Sequence, residues 1–159
     1  MTDPTTNHPT ASHPIRLFAD DAAIRRVGKG LLDHSLPAAA WTHEAHIGTC
    51  AWLYIERPDI DPPRDLPGLI SAFNLAKGAI NDDTSGYHET ITQAYARGVR
   101  RFLAEHPAGS LSERVNALLW SPTGARDWPL RFWSRVVLFS VAARRGWVEP
   151  DLGPLPKRD

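Results

Sequence analysis

A chain of 159 residues has room for one domain and not comfortably for two. Its 18 basic and 18 acidic residues cancel, which removes any bulk electrostatic case for binding DNA, RNA or an anionic membrane. A single cysteine, Cys50, excludes an intramolecular disulfide and a cysteine-based zinc knuckle.

The first residues, Met1-Thr2-Asp3-Pro4, lack a basic start followed by an apolar stretch, so no secretory signal is expected there. No run of about 18 apolar residues is present, so no membrane span is expected. The expected compartment is the cytoplasm. Arginine greatly outnumbers lysine, which occurs only at Lys29, Lys77 and Lys157.

Residues 1–14 are rich in Thr, Pro, His and Asn and read as a disordered tail, with His8 and His13 solvated in it. The remainder, 15–159, reads as one helical domain. A first helix is expected from Asp20 or Asp21, with Ile24, Val27, Leu31 and Leu32 at helical spacing. It ends before Pro37, and Gly28 and Gly30 weaken it. Thr42 is a good N-cap for a second helix running through His43-Glu44-Ala45-His46 to about Glu56, with Trp41 packed on its first turn. Arg57 to Pro63 reads as a loop because of its prolines. A third helix is expected from about Pro67 to Gly78, and a long fourth from Gly86 or Tyr87 to about Glu105. Ser110 and Glu113 form a capping-box pattern opening a fifth. A sixth covers about Pro129 to Phe139, and a short seventh runs from Val141 to Arg145, stopped by Gly146. No segment alternates as a strand would. The expected fold is therefore an all-α, compact bundle of five to seven helices.

The chemistry-bearing residues gather at two helix starts. His43 and His46, three apart, share a helix face, and Cys50 continues that stripe as a buried, apolar-like residue. His88 is expected in the first turn of the fourth helix, followed by Glu89 and, one turn on, Thr92. Three imidazoles and a carboxylate suit a divalent metal such as zinc, iron, manganese or copper, with one position open. On that reading the chain is a small metal-dependent enzyme of hydrolase, lyase or isomerase type acting on a polar small molecule. His43, His46 and His88 hold the metal, and Glu89 and Glu44 move protons or orient imidazoles. Arg135, Tyr87, Thr92 and Asn74 face the substrate.

Helix N-termini carry partial positive charge, which opposes a cation and favours an anion. A metal-free pocket binding an anion, in a ligand-binding or regulatory bundle, is therefore the alternative. Histidines that merely pack and hydrogen-bond, in a domain held together or joined to a homo-oligomeric partner through its six tryptophans, are the third. Arg97, Arg100 and Arg101 read as a solvated basic face. His43-Glu44-Ala45-His46 is one residue short of the zinc-protease His-Glu-x-x-His helix, and no phosphate loop, nucleophile elbow or dinucleotide fingerprint is present.

Trp41-Thr42-His43-x-x-His46, Asp83-Thr84-Ser85-Gly86-Tyr87-His88-Glu89-Thr90-x-Thr92, Phe132-Trp133-Ser134-Arg135 and the segment Ala143 to Leu152 resemble a family of small uncharacterised bacterial all-helical proteins. The resemblance covers roughly residues 24–156 and implies a fold and a set of residues, but no reaction. Val136 stands where that pattern has a charged residue after Trp-Ser-Arg, so the role of Arg135 is not carried over with it.

Overall fold

A computed structural model describes residues 14–157, so the tail with His8 and His13 lies outside the described residues. Asp20 opens α1 (Asp21–Leu32) by accepting the N–H of Ala23 at 2.8 Å. The glycines that weaken this helix have a packing purpose. A Cβ on Gly28 would stand 2.2 Å from the Trp52 ring, so its absence lets α1 approach the next helix closely.

That next helix, α2 (His43–Glu56), is the centre of the fold. Thr42 caps it by accepting from the N–H of Ala45 at 3.2 Å. From Ile47 to Leu53 every residue is buried, so the middle of the helix is enclosed all round. α1, α3 (Pro62–Ala76), α4 (Glu89–Glu105) and α5 (Leu111–Trp120) pack around it. α5 opens on the expected capping box, with Ser110 and Glu113 bonding each other's backbone.

Two helix starts differ from the sequence expectation. α3 begins at Pro62, not Pro67, because Pro62 and Pro63 occupy first-turn positions where a missing N–H costs nothing. Pro67 then lies inside the helix and leaves the Pro63 carbonyl without its partner four residues on. The side chain of Gln93 on α4 fills the gap, donating to that carbonyl at 2.8 Å. α4 begins at Glu89, with Asn81 organising the preceding loop. The Asn81 side chain accepts from Asn74 at 2.9 Å and from the Tyr87 N–H at 3.0 Å, and the positive φ of Gly86 (81°) completes the turn.

The expected sixth helix is broken. A 3-10 turn over Trp128–Arg131 comes first, and Ser134 then caps a separate one-turn α6 (Arg135–Leu138), with its own N–H taken by Asp151 at 2.8 Å. α7 (Val141–Arg145) follows. These short pieces form a second core around Ala94, Trp128, Trp133 and Leu138, against the first half of α4. Thr90 of α4 ties the closing segment down, donating to the Gly146 carbonyl at 2.8 Å and accepting from Val148 at 3.2 Å. Trp128 and Trp133 cement this core, whereas Trp120 is 68% exposed.

The fold is an all-α bundle of seven α-helices with no strand among the described residues, and none of those helices is long and apolar enough to cross a membrane. If Gln93 serves Pro67 as argued, Gln93→Leu will cost about 1 kcal/mol in urea unfolding. The loss will shrink in the Pro67→Ala background, where the helix supplies its own donor. Equal losses in both backgrounds would remove this account of the internal proline.

Candidate functional site

The N-terminal end of α2 carries two of the three histidines. His46 turns its ring back over the helix start, with Nδ1 lying 2.8 Å from the Thr42 carbonyl. A carbonyl oxygen only accepts, so Nδ1 carries the hydrogen and Nε2 keeps its lone pair. The Trp41 indole covers the ring at 3.8 Å between centroids. Burial, with the nearby His43 acting in the same direction, outweighs the bond to Thr42 and lowers the His46 pKa to about 4. The ring is therefore neutral at physiological pH.

His43 gives its Nε2 hydrogen to the Gly124 carbonyl at 2.8 Å and meets the Tyr95 ring edge-on at 5.5 Å. Burial is the main reason that its pKa also falls. Tyr95 spends its own hydrogen on the Ala125 carbonyl at 2.6 Å.

His88 is placed differently from expectation. It stands just before α4, as the N-cap, and both ring nitrogens are engaged. Nδ1 accepts from the Ile91 N–H at 3.1 Å, and Nε2–H donates to the Leu138 carbonyl at 2.8 Å. The ring is a clamp between α4 and the end of α6, and burial lowers its pKa as well.

His43 and His46 line one cavity of about 320 Å³ between α2, α3 and α4, and His88 is not part of its lining. Among the described residues no group of three or more His, Cys, Asp or Glu side chains is placed to hold a metal ion. The rest of the lining is mainly apolar, with Ile47, Leu66, Ile70 and Ile91 beside Trp41 and Tyr95. Its other polar members are Thr92 and Cys50. Burial pushes the Cys50 thiol up to about 12, which leaves no thiolate to act as nucleophile or ligand.

The remaining candidates lie elsewhere. Glu44, only 4% exposed, faces a second depression with His43, Arg126 and Asp127. Burial opposes its charge, but its own N–H, the Arg126 guanidinium 3.5 Å away and the Arg16 N–H together hold its pKa below the usual value. Glu89 accepts the Tyr87 hydroxyl at 2.7 Å, and burial followed by that carboxylate pushes the phenol's pKa upward. Tyr87 and Glu89 lie outside the cavity lining. Asn74 supports the Asn81 loop, and Arg135 is exposed at the start of α6. The cavity thus takes His43, His46 and Thr92 from the expected set. It adds Trp41, expected only to pack on the first turn of α2, and Tyr95 of α4. The available signal was Thr92, a polar residue within the apolar face of Ile91, Tyr95 and Ala96.

Two outcomes follow. Replacing His88 by Ala will cost about 2 kcal/mol, one part from the cap and one from the Leu138 bond. His88→Asn will recover the cap part alone in urea unfolding, and full recovery would deny the α6 clamp. For His46, the folded pKa lies below the unfolded one, so the unfolded chain binds more protons across the window between them. The stabilisation from the neutral ring is present above the unfolded value of 6.5 and is lost as pH falls toward about 4. Lowering pH from 7 to 5 will therefore cost about 2 kcal/mol through His46, with His43 and His88 adding in the same direction. The slope of stability against pH will flatten in His46→Phe; an unchanged slope would place the titration elsewhere.

The chain matches no family model, and neither a curated protein nor a solved structure was found similar to it, so the site stands on its own geometry.

Proposed function

We propose that this protein binds a small, uncharged, largely apolar molecule in the cavity between α2, α3 and α4. The observation that carries this reading is the lining itself, apolar side chains around two imidazoles that burial keeps neutral, with no Asp, Glu, Lys or Arg among them. Such a lining solvates an ion poorly.

The anion alternative loses its main support at the α2 terminus. Thr42 already takes one free N–H there, and the ionised Glu44 carboxylate takes another while supplying resident negative charge. A further anion would meet that charge.

A divalent metal is the second reading, favoured by one observation. His43 and His46 each give one ring hydrogen to a backbone carbonyl, which is how ligating imidazoles are commonly oriented. It requires a further ligand to join them. Metal analysis of untagged protein tests it, and a content that His43→Ala leaves unchanged counts against it.

The cavity reading is tested by titrating the protein with indole and following backbone amides by NMR. Shifts are expected at Ile47, Ile91 and Ala96, with stabilisation of about 1.4 kcal/mol at ten times the dissociation constant. Ala96→Phe, which occupies the cavity, will abolish both while keeping helical circular dichroism. Shifts confined to other regions, or surviving Ala96→Phe, would refute the proposal.

A further inference from the structure

The two imidazoles and the phenol of this cavity share one property: their hydrogens are already committed. His46 gives Nδ1–H to Thr42, so its remaining ring nitrogen is an acceptor. His43 gives Nε2–H to Gly124, so its other nitrogen is an acceptor too. The Tyr95 hydrogen goes to Ala125. Thr92 adds a hydroxyl, whose oxygen has lone pairs to offer a donor. The one indole donor in the lining, Trp41 Nε1, is buried without a partner and closed to solvent-sized contact. Cys50 offers only the weak donor of a neutral thiol.

Resting on the cavity reading above, we infer that the ligand carries an uncharged hydrogen-bond donor, an N–H or O–H on an apolar body, which the lone pairs of His46 and its neighbours in the lining receive. A carboxylate or a carbonyl-only ligand would set acceptor against acceptor at both imidazoles. An ammonium would supply donors but would enter a lining without a carboxylate to offset its desolvation. Hydroxyl-bearing aromatic or aliphatic molecules, primary amides and heteroaromatic N–H compounds form the matching class.

The matched pair indole and benzofuran isolates the donor, because the two have nearly the same shape and only indole carries an N–H. Titration calorimetry and amide NMR on the full chain will give indole about a tenfold lower dissociation constant, the effect of one net hydrogen bond. The ratio will fall toward unity in His46→Phe and narrow in Thr92→Val, whose near-identical shape keeps the fold. Benzoate will not compete with indole. Equal binding of indole and benzofuran by the unmodified protein would overturn the donor rule and leave the cavity reading standing. Stronger binding of benzofuran would overturn the rule and point to Trp41 Nε1 as an opened donor. Failure of both to bind at millimolar concentration would overturn both readings.

Discussion

His46 and His43 each donate one ring hydrogen to a backbone carbonyl, and the site's character depends on those two bonds, while His88 makes a like bond outside the cavity. Each is worth only about 1 kcal/mol net, yet each also fixes a tautomer. His46 bonds back to Thr42 at the start of its own helix, His43 reaches the turn after α5, and His88 reaches the end of α6. The same bonds that hold the bundle's N-terminal corner together thereby decide which nitrogens keep lone pairs. Burial then favours the neutral rings, so His43 and His46 offer acceptors without charge, whereas both nitrogens of His88 are already engaged.

Charge is kept apart from this corner. Glu44, on the same helix turn as His43, takes N–H groups at the helix start and the Arg126 guanidinium beside a separate depression. Glu89, next to His88, is bonded to the Tyr87 hydroxyl. Neither carboxylate belongs to the lining of the cavity that His43 and His46 share. An assembly that is plausible when adjacent residues are counted along the sequence is separated in space, because neighbouring side chains on a helix point in different directions.

Much of the fold was legible. α2 and α5 follow their N-capping residues, and α7 stops at Gly146, because these signals are local and strong. The start of α3 was not, because Pro67 reads as a first-turn residue unless the donor that Gln93 gives the Pro63 carbonyl, thirty residues away by number but adjacent in space, is known. The break at Ser134 depends on Asp151 in the same way. The site was half legible. A Thr-His-x-x-His start places two imidazoles on one helix turn from local rules alone. His88 escaped because its rank as N-cap, not first-turn residue, is set by the Asn81 loop and by the distant Leu138 carbonyl. Trp41 and Tyr95 escaped because aromatic residues in an apolar stripe read as core whether or not a cavity lies beside them.

The central claim concerns where the imidazole hydrogens sit, and long-range proton–nitrogen correlation spectra of the histidine rings read that directly. At neutral pH the account predicts three uncharged rings, with the hydrogen on Nδ1 of His46 and on Nε2 of His43 and His88. A His46 ring that is protonated, or that carries its hydrogen on Nε2, would contradict it.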